Sequence, residues 1–312
     1  MLNSPKAPVS GVLLIDKPQG MTSQQVVSKV KYLLKSPQHD SKKAGHTGTL
    51  DPMATGLLPI CLGEATKFSQ YQLEAVKSYQ AVITLGEQTD TGDAEGQVIA
   101  TTPVATLSPD KLANVAQQFL GKQRQIPPMY SALKKDGKKL YELAREGIEI
   151  VREARHIELS QLTLQPLSPN ELQLNVTCSK GTYVRVLGED IAKALGTLGH
   201  LTVLRRTTTG DFSIDKAISL ADFEALSFEA RLAKILPVDE CVKHLPKLLL
   251  DTEQSERILQ GQRLNVTANA GVQQLMFSDT TEIRLFNPHG QFLGVATLET
   301  HGRLQPIKLV KV

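Results

Sequence analysis

Cysteine is scarce and out of pattern in this 312-residue chain: Cys61, Cys178 and Cys241 are an odd number, widely scattered, with no CxxC or Cys/His spacing. That leaves no zinc motif and points to buried, reduced thiols in a cytosolic protein. No apolar run approaches the roughly 18 residues of a membrane span. The start, "MLNSPKAPVS", lacks the apolar stretch of a secretory signal. A Lys-Ser/Thr pair closing a glycine-rich loop, as in a Walker A sequence, is missing too. Nor does one sign of charge dominate, since the net charge is +3 with 41% hydrophobic and 21% charged residues. This is the composition of a soluble globular protein of one large or two ordinary domains.

The charge that is present is unevenly placed. Between Lys122 and Arg145 seven basic residues face two acidic ones, and the rest of the chain is slightly acidic. A lysine cluster usually marks a solvated face. Here it surrounds an Asp136-Gly137 turn and is interleaved with Tyr130, Leu133, Leu140 and Tyr141, which describes a projecting basic hairpin suited to a phosphate backbone.

The apolar pattern predicts an α+β fold. "GVLLID" is a short strand, and Thr22-x-x-Gln25 is a capping box ahead of Val26, Val27, Val30, Leu33 and Leu34 at helical spacing. "LLPICLG" reads as a buried strand and "EATKFSQYQ" as a short helix. "SYQAVITLG" alternates as a half-buried strand and is expected to pair, through "DTGDAEG", with "QVIA" as a hairpin. A helix follows Asp110 and stops at Gly121. Strands are expected at "HIELSQLTL" and "ELQLNVTCS" around the turn-rich "QPLSPN", then a helix from Val184 to Gly196 and a strand in "LTVLRRTTTGDFSI". Without a regular crossover period, these favour a mixed or antiparallel sheet. Residues 220–245 read as a helical connector, and 246–312 as a small separate β domain.

One segment stands apart. "GHTGTLDPMATG", Gly45 to Gly56, carries a single acid, Asp51, among glycines, threonines and apolar side chains. Taken alone, an Asp before Pro is usually a turn or cap residue, and His46 a packed or surface histidine. No second carboxylate or histidine sits at metal-ligand spacing. What remains is an isolated acid on a rigid loop, a candidate nucleophile.

"GVLLIDKPQGMTS", "AGHTGTLDPMATGLLPICLGEATKF", "KSYQAVITLG", "IPPMYSALKKDGKKLYELAREG", "CSKGTYVRVLGEDIA" and "HLTVLRRTTTGDF" occur in the order found in the TruB family of bacterial tRNA pseudouridine-55 synthases, which the chain resembles. The resemblance covers about Gly11 to Phe212 and is weaker from Leu220, where bacterial members carry a variable PUA-like domain. It implies a mixed or antiparallel-sheet catalytic domain over 11–245, with a basic RNA-binding insertion at about 122–152. It also implies a C-terminal PUA-like domain over 246–312, with residues 1–10 as a tail outside it.

The resemblance also implies a reaction and roles. The uridine at position 55 of the tRNA T-loop would be isomerised with base flipping and without metal or cofactor. Asp51 would be the nucleophile, attacking either C1′ of the ribose or C6 of the ring. Tyr79 would stack on the target base, Tyr183 would line the pocket, and Leu204 would contact the base through its main chain. Arg185 would pair with the catalytic carboxylate, hold its rotamer and favour its charged form. His46 would enter the T-loop as the uridine leaves its stack. Lys134, Lys135, Lys138 and Lys139 would grip backbone phosphates. Gly45, Gly48 and Gly56 would let the loop backbone approach the nucleotide, with Pro52 stiffening it. The expected protein is a cytoplasmic monomer whose partner is the T-arm stem-loop, with no membrane and no obligatory protein partner. Two other readings stand beside it. One is an RNA-binding or tRNA-folding protein in which chemistry is secondary; the other is a hydrolytic nuclease or glycosidase, for which metal ligands or paired carboxylates are not evident.

Overall fold

The computed structural model describes residues 6–269, 271–272 and 279–311. Its centre is a ten-stranded mixed sheet. In chain order the strands that matter are β1 (Gly11–Lys17), β2 (Thr55–Leu62), β3 (Lys77–Leu85), β4 (Gly121–Gln125), β5 (Arg155–Ser168), β6 (Glu171–Cys178), β7 (Gly199–Thr209) and β8 (Ile218–Ser219). They lie in the order β8-β1-β2-β7-β3-β6-β5-β4, with Ala44–His46 added beside β2 and Phe212–Ser213 beside β7. The β8-β1 and β2-β7 pairings are parallel and the rest antiparallel.

Three helices pack on the sheet: α1 (Ser23–Leu33), α2 (Pro109–Gln118) and α3 (Val184–Ala194). The Thr22 capping box forms, with the hydroxyl accepting from Gln25 N–H at 3.1 Å and the Gln25 side chain accepting from Thr22 N–H at 2.8 Å. Behind it Val26, Val27, Val30 and Leu33 are buried against Leu13, Ile15, Leu58 and Ile60. A second cluster gathers α2 and α3 onto β3, β5 and β6, through Leu112, Val115, Leu187, Ile191, Ile83 and Leu174. Leu50, Met53 and Ala54 belong to this second cluster, so the loop that bears Asp51 is anchored in the core.

Two expectations change. "SYQAVITLG" does not pair with "QVIA", because both edges of β3 are already occupied by β6 and β7. The chain instead passes through Gly86 into Glu87–Thr89, and that segment pairs with Val98–Thr101 in a separate two-stranded sheet. "QPLS" is not turn but the end of β5, leaving Pro169 and Asn170 to reverse the chain.

A five-stranded sheet forms near the C-terminus, in the order Lys247–Leu249, Thr281–Phe286, Phe292–Leu298, Arg303–Leu309, Leu264–Asn265. It docks on the back of β1 and β2. Val295, Phe292 and Val310 join Val12, Leu14, Leu57 and Phe68 in one apolar cluster, and Tyr71 Oη donates to Glu282 at 2.7 Å. Cys61 and Cys241 are buried in this seam, and all three cysteines are free and buried. Ahead of β1, Ala7–Pro8 pairs with His39–Asp40, and Val9 is buried.

Candidate active site

Across the sheet one row of residues is in register. Lys17 lies opposite Gly56, Gly56 opposite Arg206, Arg206 opposite Tyr79, and Tyr79 opposite Val176. Directly opposed residues put their side chains on the same face. Two cations and a phenol therefore line one face with a gap between them, and Gly56 makes the gap possible. Its φ is 104°, and a Cβ there would sit 2.3 Å from the Arg206 carbonyl oxygen.

The Asp51 loop is fastened onto this row. Lys17 is buried and donates to the carbonyls of Ala54 at 2.7 Å and Pro18 at 2.9 Å. Arg206, equally buried, donates from Nε to the Leu57 carbonyl at 2.8 Å and from its terminal nitrogen to Gly48 O at 3.0 Å. Gly48 has φ 145°, and a Cβ would press on Arg206 and Lys77 at 3.2 and 3.3 Å. From above, Ser23 Oγ donates to the Leu50 carbonyl at 3.0 Å and accepts from its N–H at 2.8 Å. Gly20 N–H reaches the Pro52 carbonyl at 2.8 Å. Gly45, by contrast, is in the strand Ala44–His46 with open space where a Cβ would go.

The loop's one acid is not isolated. Arg185 lies 3.0 Å from Asp51 Oδ2, the guanidinium 6% exposed and the carboxylate 37% exposed. The same guanidinium meets Asp93 at 3.3 Å and donates to the carbonyls of Thr91 at 2.9 Å and Tyr130 at 2.7 Å. Asp93 is buried and tied down by Thr91 Oγ1 at 2.6 Å and Glu95 N–H at 3.1 Å. A buried guanidinium between two carboxylates is held only where further bonds replace its lost water, and here two carbonyls do so. Asp51 is the member of this set that solvent reaches.

Electrostatics around the loop follow from burial. The Lys17 ammonium is pushed down to about 8 by desolvation, against the pull of Asp51 and Glu95. The phenols of Tyr79 and Tyr183 are pushed up by burial. Burial, then the charge of Arg206, pushes His46 down, so its half-buried ring is neutral at pH 7. Leu204 is buried on β7, opposite Ala81 in the core cluster.

The structure thus brings Asp51 and Arg185 into contact and sets His46 and Tyr79 beside the Arg206 that fastens the loop. The lysine quartet is elsewhere. Lys134–Lys135 pairs with Lys138–Lys139 across Asp136 (φ 51°) and Gly137 (φ 84°), a two-residue hairpin of the mirror-image turn type. Lys134 and Lys138 are exposed, Lys139 Nζ donates to Tyr141 Oη at 3.2 Å, and the Lys135 side chain lies outside the described residues. Sequence reasoning missed Lys17, Asp93 and Arg206. Asp93 was hidden in a segment read as a turn. A lysine closing an apolar strand in "GVLLIDK" and the arginines inside the strand of "TVLRRTTT" were the available signals.

The family model for the N-terminal domain of TruB family pseudouridylate synthases matches residues 36–184. That for the tRNA pseudouridylate synthase B C-terminal domain matches 185–253, and that for the C-terminal region of pseudouridine synthase II TruB matches 246–310. The tRNA pseudouridine synthase B of Psychrobacter cryohalolentis is 58% identical, over 98% of this chain and 95% of its own. That of Aromatoleum aromaticum is 48% identical over 97% and 93%. A chain in the crystal structure of a Cbf5-Nop10-Gar1 complex superposes with a TM-score of 0.71 at 25% identity, over 97% of this chain and 85% of that one. The protein belongs to the TruB family of pseudouridylate synthases.

Proposed function

We propose that this protein is a tRNA pseudouridine synthase that isomerises the uridine at position 55 of the T-loop, with Asp51 as the nucleophile. The observation that carries the site assignment is a single carboxylate, more than a third exposed, fixed 3.0 Å from a guanidinium that is itself buried. Such a carboxylate is aimed and open on its solvent side, as covalent catalysis asks. In the reaction the bond from N1 to C1′ breaks and one from C5 to C1′ forms. The proton lost from C5 is matched by one gained at N1, so no redox partner enters the balance. Asp51 serves as the temporary covalent partner, at C1′ or at C6.

The surrounding residues take the remaining work. The target base must leave its stack at a cost of a few kcal/mol, and the neutral ring of His46 fills the space it vacates. Tyr79 and Tyr183 form the walls against which the base lies, and the Leu204 main chain touches its edge. Exposed lysines of the hairpin 134–139 hold the phosphates of the T-arm. The protein works in the cytoplasm as a monomer, without an obligatory protein partner.

The test is Asp51→Asn, which keeps size and turn geometry and removes the nucleophile. Incubated with unmodified tRNA, the variant should bind nearly as well as the parent and form no pseudouridine. Pseudouridine formation by a folded Asp51→Asn protein would overturn the assignment. If the unsubstituted protein binds tRNA and leaves its uridines unchanged, the reading as a binder without chemistry prevails.

A further inference from the structure

Strand β4 ends at Gln125, immediately before the basic insertion, and this side chain is buried. Both ends of its amide engage one residue. Oε1 accepts from the Tyr183 N–H at 2.8 Å, and Nε2 donates to the Tyr183 carbonyl at 3.1 Å. Tyr183 is the boundary residue of α3, with no side-chain capping bond, and its carbonyl also accepts the first helical bond, from Leu187 N–H at 3.1 Å. Helix ends leave N–H groups without partners in the helix and are the points about which a helix tilts or frays. Here that point is clamped from across the sheet, much as a neighbouring strand would clamp it, and Arg185 lies two positions beyond.

We propose that Gln125 is a positioning residue for the Asp51–Arg185 pair, acting through Tyr183 and the start of α3; this rests on the reading of Asp51 as nucleophile. The Arg185 guanidinium is at the tip of a long side chain, so a small tilt at Tyr183 grows into a larger displacement at Asp51. A misplacement of about 1 Å costs roughly 10²-fold in rate. Gln125 also sets where the segment 126–130 departs from the sheet. The carbonyl of Tyr130, at the end of that segment, accepts at 2.7 Å from the same guanidinium nitrogen that meets Asp51. One nitrogen is thus shared between the stem of the insertion and the carboxylate. Scattered partners would satisfy a buried amide equally well. Two bonds to one backbone unit also fix that unit in place and in orientation.

The test uses the full chain and unmodified tRNA under single-turnover conditions, with tRNA affinity and thermal unfolding measured on the same preparations. Gln125→Met keeps the length and bulk and removes both bonds. Its turnover should fall by about 10²-fold, with tRNA affinity within about twofold of the parent. In an Arg185→Met background the same substitution should add little, since its route is already cut. Gln125→Glu keeps the acceptor and regains a donor only when protonated, so its rate relative to the parent should be lowest near pH 8 and climb as the pH falls. Parental turnover in Gln125→Met, affinity loss that matches the rate loss, or an undiminished effect in the Arg185→Met background would each overturn the proposal. Should Gln125→Met not fold, parental turnover of Gln125→Glu at pH 8 does the same. Pseudouridine formation by the unsubstituted protein is the control that separates a failure here from a failure of the functional reading.

Discussion

Lys17, Lys77, Arg185 and Arg206 lie buried around the Asp51 loop, and each donates to carbonyl or carboxylate oxygens. Lys134 and Lys138 of the hairpin stand exposed to solvent. A buried cation has given up its water and needs a specific replacement for every N–H, so it occupies one position and fixes whatever it touches. An exposed cation keeps its water and contributes attraction at a distance, which salt weakens. The first set holds a loop in place; the second gathers a polyanion. The two should therefore fail differently, the first abruptly and in stability as well as rate, the second gradually and in affinity alone.

Removing Arg185 should give the largest effect. Arg185→Met leaves Asp93 buried without its cation and Asp51 without its partner, which should cost about 3–5 kcal/mol of stability and nearly all pseudouridine formation. Adding Asp93→Asn should restore much of the stability and little of the activity, because the buried charge is then gone while Asp51 is still unheld. Thermal unfolding and product yield on the single and double variants check this. Stability unchanged by Arg185→Met would mean that the buried network does not fasten the loop.

On the hairpin, replacing Lys134, Lys135, Lys138 and Lys139 by Gln should leave unfolding unchanged and weaken tRNA binding. The slope of log affinity against log salt should flatten by about 0.7 to 0.9 for each phosphate that is no longer neutralised. An unaltered slope would reduce the quartet to a solvated face and erase the contrast with the buried set.

The buried set also predicts a pH dependence of stability. Burial lowers Lys17 and Lys77 from 10.5 to about 8 in the folded protein. Between those values the unfolded chain carries more protons than the folded one, so stability contributed by these groups rises with pH, and below about 8 the burden of two buried charges is fully present. The unfolding midpoint should climb more steeply across this window in the parent than in a Lys17→Met, Lys77→Met variant. Equal slopes would mean that both ammonium groups titrate in their ordinary range.

Local pattern was enough to read α1 with its capping box, the Asp136-Gly137 hairpin, most strands and the small β sheet near the C-terminus, because each depends on residues near one another in sequence. The hairpin wrongly assigned to "SYQAVITLG" failed for the opposite reason: which edge of β3 is free depends on strands more than 85 residues away. The pairing of Arg185 with Asp51 was legible through motif resemblance alone, since no spacing rule links positions so far apart.

By itself the sequence determined which short segments become helix, strand or turn, placed one acid in a glycine-rich loop, and set a basic hairpin near the middle of the chain. Those outcomes rest on backbone preference and side-chain period, which act over a few residues. Only the tertiary structure decided that Lys17, Gly56, Arg206 and Tyr79 form one row, that Asp93 shares Arg185 with Asp51, and that Gln125 clamps Tyr183. Each of those is a matter of register between distant strands, and a polar side chain acquires its partners only once burial has removed the water that would otherwise serve it.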